Sequence, residues 1–279
     1  MSGHLLIFGQ GFTGARLAEA CRADGWTVTG TGRQAREGVL PFDRNHPLPK
    51  SVLASVTHLV MSIPPDEAGD AVLNLHGEAI GRLNSLQWVG YLSTTGVYGD
   101  HGGAWVDEKS ETNPTAARSK RRLAAEHAWL AWGKRHDKPV QIFRLAGIYG
   151  PGRSPLDRVR SGGAQRINKP GQVFGRIHVD DIVRVVRAAM AKPEAGPIFN
   201  LADDHPASSA QVLAYAAELL GVEPPPEVPF EEANLSSMAR SFYTDNRRVC
   251  NKRIKQQLGV CLLYPSYREG LRALAGQPR

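Results

Sequence analysis

The most restrictive feature of the sequence is the glycine-rich stretch FGQGFTG, residues 8–14. It follows an apolar run at 4–9, HLLIFG, which predicts a buried strand. It precedes TGARLAEACRA at 13–23, where apolar and small residues recur at helical spacing. A strand, a glycine turn and a helix in this order predict the start of a βαβ unit, in which the turn carries the function.

Within this stretch, Gly9, Gly11 and Gly14 have the spacing G-x-G-x-x-G. The first glycine allows a tight turn, the second lets a pyrophosphate approach the backbone, and the third lets the helix pack on the strand. The helix N-terminus then offers free N–H groups and a partial positive charge to the phosphates. The stretch therefore predicts a dinucleotide site formed by these glycines together with Phe12 and Thr13.

The end of the second predicted strand, WTVTGTGR at 26–33, bears on which dinucleotide is bound. A cofactor without a 2′-phosphate is usually held by Asp or Glu at this distance from the glycine turn. Here the strand ends in Thr31, Gly32 and Arg33, and the next carboxylate is Glu37. Because a guanidinium can pair with a 2′-phosphate, Arg33 predicts NADP as the cofactor, with NAD as the alternative.

Strand-like and helix-like segments continue to alternate along the chain, which predicts a parallel α/β sheet. Further strands are predicted at 56–63, 88–95, 140–147 and 197–202, and helices at about 70–85, 117–135, 181–191 and 209–220. Ser208 and Gln211 are spaced as a capping box for the last of these helices, which we expect to end at Gly221. After residue 150 the pattern changes, because Pro, Gly and Arg dominate 150–175.

Composition and charge argue against several other classes of protein. The chain has 279 residues, of which 42% are hydrophobic and 22% charged, as in ordinary globular proteins. No apolar run approaches the roughly 20 residues of a membrane span, so no membrane partner is expected. The three cysteines are widely spaced and no signal peptide is apparent, so we expect a cytoplasmic protein without a metal site. The net charge of +7 is spread along the chain, so the expected partner is a small molecule and not nucleic acid.

Several motifs occur in a fixed order along the chain and carry a family resemblance. They are LSTTGVYG (92–99), DEKSETNP (107–114), ARSKRRLAAE (117–126), FRLAGIYGPG (143–152), RIHVDDI (176–182) and FNLADDHP (199–206). Together with the glycine turn they resemble the extended short-chain dehydrogenases/reductases, the NAD-dependent epimerase/dehydratase family. The resemblance runs from residue 4 to about 260.

This resemblance implies an α/β fold, a Rossmann doubly wound parallel sheet with a small C-terminal substrate lobe. The NAD(P)-binding domain would comprise residues 1–150 together with 178–200. The substrate-binding lobe would comprise 151–177 and 201–279.

The resemblance also implies catalysis by a Ser/Thr, a Tyr and a Lys, in which the Tyr stands four residues before the Lys. The Ser/Thr corresponds to Thr94, and the Lys, which also holds the nicotinamide ribose, corresponds to Lys120. Ala116 stands where the tyrosine is expected, so proton transfer would need water or a neighbouring tyrosine such as Tyr98. The glycine turn departs from the family pattern too, because Phe8 stands where the family usually has its first glycine.

A helical wheel of 117–135 predicts that Lys120 begins a buried stripe and points at the sheet. The other members of this predicted stripe are Leu123, Ala124, His127, Leu130 and Ala131. On this wheel Arg122 points away from the sheet and can pair with Glu126.

The remaining predicted site residues follow from the resemblance and from the ends of parallel strands. For the cofactor they are Asp43 at the adenine, Ser62, Ile63 and Pro64 after one strand, and Ser93 after another. For the substrate they are Tyr149, Arg153 and His178. Asp180 is expected to cap the helix at 181–191, and Arg144 to be a buried structural arginine.

Two functions remain open at this point. The first is an NAD(P)-dependent oxidoreductase or epimerase that acts on a sugar-like or nucleotide-linked hydroxyl/carbonyl substrate. The second, favoured by Ala116, is a non-catalytic NADP(H)-binding redox sensor or interaction protein. A homodimer is possible through helix 117–135, where Trp129 and Trp132 either form the interface or pack inside the monomer.

Overall fold

The computed structural model describes residues 3–194 and 197–276. The strands are β1 (His4–Phe8), β2 (Thr27–Gly32), β3 (Val39–Pro41), β4 (His58–Met61), β5 (Trp88–Thr94), β6 (Trp105–Val106), β7 (Val140–Leu145), β8 (Gly147–Tyr149), β9 (Arg166–Asn168), β10 (Arg176–His178), β11 (Ile198–Leu201), β12 (Glu227–Pro229) and β13 (Arg248–Val249). The helices are α1 (Phe12–Ala23), α2 (Lys50–Leu53), α3 (Ala71–Gly81), α4 (Ala117–His136), α5 (Pro155–Arg160), α6 (Val179–Met190), α7 (Ser209–Leu220), α8 (Ser237–Ser241), α9 (Lys252–Leu258) and α10 (Tyr267–Ala275). A 3₁₀ turn, Thr95–Tyr98, follows β5.

The central sheet of the described chain has seven strands in the order β11-β7-β5-β4-β1-β2-β3. The pairs β1–β2, β2–β3, β1–β4 and β4–β5 are parallel. From β1 the chain moves first toward β2 and β3 and then crosses back to β4, so the strand order reverses at β1. This reversal is the point at which doubly wound sheets bind ligands, at the carboxyl ends of the strands. The predicted Rossmann doubly wound fold is confirmed.

The central strands contain apolar runs without alternation. This pattern is typical of strands that are buried on both faces of a sheet. Leu5–Phe8 of β1 and all of β4 and β7 are buried. The core beside them combines strand residues such as Leu59 and Val89 with Trp129 and Trp132 of α4. A seventh strand element, the short edge strand β3, was not predicted from the sequence, because its three residues are too few to show a period.

The predicted capping box of α7 is confirmed, since Ser208 and Gln211 each bond the other's backbone N–H. Gly221 ends this helix in the left-handed conformation, with φ at 65°. Local side-chain chemistry therefore determines both ends of α7, which is why short-range sequence reasoning was sufficient.

The chain divides into two compact units. The first unit comprises Met1–Val97, Ala117–Arg144 and Ile182–Phe199, and the second comprises Tyr98–Ala116, Leu145–Asp181 and Asn200–Arg279. The segment 98–116, which the sequence assigned to the cofactor domain, groups with the second unit. Its strand β6 pairs with β13, and the backbone N–H groups of His101 and Gly103 both donate to the carbonyl of Asn246.

The second unit has its own apolar clusters. One of them joins α5, α7 and α10 through Leu156, Ala216 and Leu271. Another packs Ile167, Ala233 and Tyr243 together. The predicted C-terminal lobe therefore has a core of its own, which is the condition for a compact unit.

No helix within residues 3–194 and 197–276 is long and apolar enough to cross a membrane. Over the same residues, no group of three or more His, Cys, Asp or Glu side chains is arranged to hold a metal ion. The three cysteines are free thiols, with Cys21 buried and Cys261 exposed.

Candidate functional site

The glycine turn between β1 and α1 has a shape that glycine alone allows. Gly9 has φ at 91°, and a Cβ there would lie 2.9 Å from Cγ1 of Ile63. A Cβ on Gly14 would lie 2.8 Å from the carbonyl oxygen of Gly9. A Cβ on Gly11 would meet no heavy atom within 4 Å, so this face of the turn is open. The turn thus forms a cradle that an approaching ligand can contact through its backbone.

The N-terminus of α1 faces this cradle without a competing group of its own. Gly11 is the N-cap residue and makes no side-chain cap hydrogen bond, and the first turn of α1 contains no acidic residue. The backbone N–H groups of a helix's first turn point out of its N-terminus and, with the partial positive charge there, can bind an anion. These are the donors that a dinucleotide pyrophosphate requires, so the residues present fit such a cofactor.

Thr31 ties the glycine turn to the end of β2, a role that the sequence analysis missed. Its hydroxyl accepts from the backbone N–H of Gly9 at 3.1 Å, and its carbonyl accepts from the N–H of Gln10 at 2.7 Å. The side chain of Gln10 packs over Gly30, where a Cβ would overlap it. The sequence signal for this role was a threonine between two glycines in β2. A polar residue at this place has to be buried next to the turn.

Two arginines follow β2. Arg33 is exposed, one residue beyond the strand. Arg36 is also exposed, but its Nη2 donates to the carbonyl of Gln10 at 2.5 Å. The sequence analysis named only Arg33.

The end of β4 forms the neighbouring wall of the turn. Ser62 donates its backbone N–H to the carbonyl of Phe8 at 2.8 Å. The side chain of Ile63 packs against Gly9 and leaves no room for a Cβ there, and Pro64 is exposed just beyond it. These predicted cofactor residues therefore border the glycine turn.

Asp43 lies in the loop after β3, exposed to solvent. Its carboxylate accepts from the backbone N–H groups of Asn45 and His46, at 2.8 and 2.9 Å, and from the ring of His46. The hydrogen bond from the His46 ring is the main reason that the pKa of Asp43 is lowered. Its carboxylate thus stabilises its own loop, and its contact with adenine stays a prediction.

A buried hydrogen-bond network fixes the carboxyl end of β5. Ser93 donates its hydroxyl to Glu126 of α4, and Glu126 accepts from Arg144 of β7, with Nη2 to Oε2 at 2.8 Å. Glu126 and Arg144 are 1% and 5% exposed, so they form a buried ion pair. The predicted structural role of Arg144 is confirmed. The hydroxyl proton of Ser93 is engaged in this network, and the cofactor contact of Ser93 stays a prediction.

Thr94, the next residue, is half-buried at the end of β5. Its Oγ1 accepts from the backbone N–H of Gly96 at 3.1 Å. A Cβ on Gly96 would lie 2.7 Å from the hydroxyl of Ser119 in α4, so the first turn of this helix packs closely on the loop after β5.

Helix α4 turns a different face to the sheet from the one predicted. Its buried residues are Ser119, Ala125, Glu126, Trp129, Trp132 and Gly133. Lys120, Ala124, His127 and Ala131, four members of the predicted stripe, are exposed. The prediction was wrong because it followed Leu and Ala, whereas the large area of two tryptophans and the Glu126 ion pair determine the buried face.

Arg122 occupies the sheet side that was predicted for Lys120. Its Nη1 donates to the carbonyl of Leu92 in β5 at 2.6 Å, and its guanidinium lies 5.6 Å from the ring centroid of Tyr91. The predicted pair with Glu126 is absent, since that carboxylate binds Arg144 instead.

Similar proteins have the same fold and sequence pattern. The model of the NAD dependent epimerase/dehydratase family matches residues 78–202. A solved structure of a functionally unknown conserved protein from Silicibacter pomeroyi is 49% identical, covers 98% of both chains and has a TM-score of 0.91. The Escherichia coli protein YeeZ is 29% identical over 288 residues, which are 93% of this chain and 95% of YeeZ.

Over residues 78–202, slightly less than half of its length, the chain matches the NAD-dependent epimerase/dehydratase family. A structure of MoeE5 in complex with UDP-glucuronic acid and NAD covers 98% of both chains with a TM-score of 0.81. At 22% identity this likeness shows the fold alone.

The sequence has Ala116 at the position where the motif spacing predicts a catalytic tyrosine. Ala116 precedes α4 and is half-buried. Tyr98 is fully buried, and its hydroxyl donates to Oδ1 of Asn200 at 2.7 Å within the second unit. Tyr98 was a candidate because of its motif, whereas its hydroxyl is engaged with a side chain of the second unit.

The predicted substrate residues Tyr149 and His178 lie together in the second unit. They are paired residues of β8 and β10, and their ring centroids are 5.1 Å apart. Burial raises the pKa of Tyr149, which is 4% exposed. Nδ1 of His178 accepts from the backbone N–H of Asp180 at 3.2 Å.

The predicted N-cap role of Asp180 is wrong, because α6 already begins at Val179 and His178 supplies the hydrogen bond at this end. Arg153, the third predicted substrate residue, is exposed in a turn closed by backbone hydrogen bonds with Gly150. Substrate contacts of these residues stay predictions.

The two tryptophans of α4 are not a surface for a second subunit. Trp129 and Trp132 are 0% and 4% exposed, and Nε1 of Trp132 donates to the carbonyl of Gly77 at 2.9 Å. The alternative that they pack inside the monomer is confirmed.

Proposed function

We propose that the chain is an oxidoreductase or epimerase that binds NADP(H) in preference to NAD(H). Its substrate would carry a hydroxyl or carbonyl group on a sugar-like or nucleotide-linked molecule. The observation that carries the proposal is the open cradle at Gly11, with the guanidinium of Arg36 held against Gln10 of the same turn. The sugar nucleotide and NAD bound to MoeE5 support the substrate and cofactor classes.

Thr94 is proposed as the residue that polarises the substrate oxygen. A threonine hydroxyl has one proton to donate and two lone pairs. Because the N–H of Gly96 already donates to Oγ1 of Thr94, the hydroxyl proton remains for another acceptor, such as a substrate carbonyl. When bound, the nicotinamide supplies the hydride acceptor or donor, and Thr94 would stabilise the negative charge that develops on the oxygen.

The proton transfer has to proceed without the family's tyrosine. An alanine at position 116 cannot exchange a proton. Tyr98 is engaged with Asn200, and burial raises the pKa of Tyr149, which makes it a poor base near neutral pH. We therefore propose water as the proton carrier. The expected loss relative to a positioned acid–base group is about 10²–10⁴-fold in rate.

The cation at the nicotinamide ribose has two candidates. Lys120 is assigned by the family motif and is exposed in the first turn of α4. Arg122 lies two residues nearer the helix centre and is held on β5 through Leu92. We retain Lys120 as the proposed ribose contact and assign Arg122 to fixing the end of β5 beside Thr94.

The second candidate function is a protein that binds NADP(H) without chemistry, as a redox sensor or interaction partner. Ala116 is the observation that favours it. The retained hydroxyl of Thr94 favours the enzyme, since a pure binding protein has less need of it.

A titration of the purified protein with NADPH, NADH and their oxidised forms tests the proposal. We expect binding with a preference for NADPH. Thr94→Val should then abolish turnover of carbonyl substrates while cofactor binding survives, whereas unchanged turnover would remove Thr94 from the mechanism. Failure to bind any of the four forms would contradict both functions.

We also propose a cytoplasmic location, which the three free cysteines support. We propose a homodimer that forms through a surface other than Trp129 and Trp132, which are buried. Light scattering on the purified chain measures its oligomeric state.

A further inference from the structure

The arginine that the structure holds against the glycine turn is Arg36. Its Nη2 donates to the carbonyl oxygen of Gln10 at 2.5 Å, and Gln10 lies between the first two glycines of the turn. Among the described residues this is the one side-chain hydrogen bond of Arg36, so its other guanidinium N–H groups face solvent or a ligand. A guanidinium has five N–H donors in a planar fork.

The backbone of Arg36 is fixed as firmly as its side chain. Arg36 and Val39 exchange two backbone hydrogen bonds, of 3.1 and 2.8 Å, which close a tight turn before β3. Gly38 within this turn has φ at 69°, a conformation that suits glycine. The carbonyl of Gly38 accepts from the N–H of Gly30 at 3.2 Å, which ties the turn to β2.

Arg33 lacks comparable restraints. It is exposed directly after β2, and among the described residues no hydrogen bond from its guanidinium is present. Ordering a long exposed side chain around a ligand costs rotamer entropy. Arg36 has already lost part of that freedom through its bond to Gln10, so binding an anion costs it less.

The position of Arg36 defines the anion that it suits. In a doubly wound sheet the adenosine ribose lies beyond the end of the second strand, next to the glycine turn. The tight turn that contains Arg36 is bonded to β2 through Gly38, and the Arg36 side chain is bonded to the glycine turn through Gln10. Arginine binds phosphate with parallel N–H···O bonds, and these charge-assisted bonds are stronger than neutral ones.

We infer that Arg36 is the main residue that recognises the 2′-phosphate of NADP(H), with Arg33 as the second, weaker contact. This inference rests on the proposed NADP(H) binding and assigns the preference to a residue. The bond to the Gln10 carbonyl holds the guanidinium in position before the cofactor arrives. Glu37, the adjacent carboxylate, is the residue that would bind the ribose hydroxyls if the preference were for NAD(H).

The test is a set of equilibrium titrations, by calorimetry or nucleotide fluorescence, of the full chain and its variants. Wild type, Arg36→Ala, Arg36→Lys, Arg33→Ala and the control Arg82→Ala are compared with NADPH and NADH. Arg82 is an exposed arginine at the end of α3, so its variant removes the same charge elsewhere on the first unit. Adenosine 2′,5′-bisphosphate and adenosine 5′-monophosphate serve as competitors that isolate the 2′-phosphate.

We expect Arg36→Ala to weaken NADPH binding by about 10–100-fold and NADH binding by less than about twofold, because one to two charge-assisted hydrogen bonds are lost. Binding of the 2′,5′-bisphosphate should fall in parallel, and that of the 5′-monophosphate should not change. Arg36→Lys keeps the charge but not the fork and should lie between wild type and alanine. Arg33→Ala should have the smaller effect, and Arg82→Ala none.

Four results would overturn the inference. An equal loss for NADPH and NADH in Arg36→Ala would mean that Arg36 only supports the turn. Loss of the preference in Arg33→Ala alone would assign the phosphate to Arg33. A wild type that binds NADH more tightly contradicts the NADP preference, and a wild type that binds no dinucleotide contradicts the proposed function itself. A thermal melt of each variant verifies that it is folded.

Discussion

The glycine turn and helix α4 were both predicted from residue spacing, with opposite outcomes. At the turn, Gly9 and Gly14 occupy places where a Cβ would collide with Ile63 or with backbone. On α4, the stripe that began at Lys120 is mostly exposed, and the helix instead buries Trp129 and Trp132. The turn depends on backbone contacts within a few residues, whereas the orientation of α4 depends on partners in distant strands.

The difference shows what a spacing argument can support. A glycine pattern limits the backbone directly, because no other residue fits the same contacts. A helical wheel ranks faces by apolar content alone and gives a buried ion pair no weight. Glu126 therefore counted as a surface residue, although Arg144 and Ser93 hold it in the core.

The largest effect is expected from breaking that ion pair. Glu126→Ala leaves Arg144 as a buried, uncompensated charge, which should lower the free energy of unfolding by about 3–5 kcal/mol. Chemical denaturation measures the loss. Glu19→Ala, which removes an exposed carboxylate from the surface pair with Arg16, is the matched control and should cost about 0–1 kcal/mol. Equal costs for both variants would mean that the buried network does not fix α4.

At the glycine turn, Gly9→Ala and Gly11→Ala form a matched pair. Gly9→Ala should destabilise the fold by about 1–3 kcal/mol, because φ is positive and the new Cβ meets Ile63. Gly11→Ala should leave stability nearly unchanged, since its Cβ enters open space, but should weaken dinucleotide binding. Thermal melts and cofactor titrations separate the two effects. Unchanged cofactor binding in Gly11→Ala would contradict the proposed pyrophosphate site.

A buried carboxyl in the second unit extends the comparison to a group to which the sequence analysis gave no role. Burial raises the pKa of Asp203 to about 8. Because this lies above the unfolded value, the neutral carboxyl stabilises the fold at low pH, and that stabilisation is lost as pH rises from about 4 to about 8. Between these pH values the free energy of unfolding falls by about 1 kcal/mol per pH unit. Asp203→Asn should reduce this slope in denaturation curves measured at pH 5, 6 and 7. An unchanged slope would mean that Asp203 is ionised in the folded protein.

The smallest effects concern Lys120 and Arg122 of α4. Arg122→Met should cost about 1 kcal/mol of stability, because it removes the hydrogen bond to Leu92 at the end of β5. Lys120→Met should leave stability unchanged within about 0.5 kcal/mol, since the side chain is exposed. If Lys120 contacts the ribose, as proposed, the substitution Lys120→Met should weaken cofactor binding. Loss of binding in Arg122→Met alone would transfer that contact to Arg122.

Much of the first unit, and helix α7 of the second, could be predicted from short-range pattern. Apolar runs predicted the buried strands β1, β4, β5 and β7, and the order of strands and helices predicted the parallel sheet. The capping box at Ser208 and the glycine turn were also predicted, because each depends on residues within a few positions of one another. The brief edge strand β3 was too short to show a pattern.

The candidate site was predicted less completely, for reasons that differ among its residues. Thr31 and Arg36 join the glycine turn from more than 20 positions along the chain, and no local period shows such contacts. Tyr98, Tyr149 and His178 were identified from motifs, yet motifs do not report burial. The hydrogen bond from Tyr98 to Asn200 and the burial of all three side chains result from packing of the second unit.

The sequence by itself determined the parallel α/β sheet, the glycine turn and the absence of a tyrosine at position 116. These depend on the local backbone preferences and on residue identity, which the order of amino acids states directly. Only the tertiary structure decided which face of α4 is buried and which arginine is held at the turn. Those outcomes depend on contacts of large side chains and buried charges with residues far along the chain. A local sequence pattern does not contain the interaction energies of such contacts.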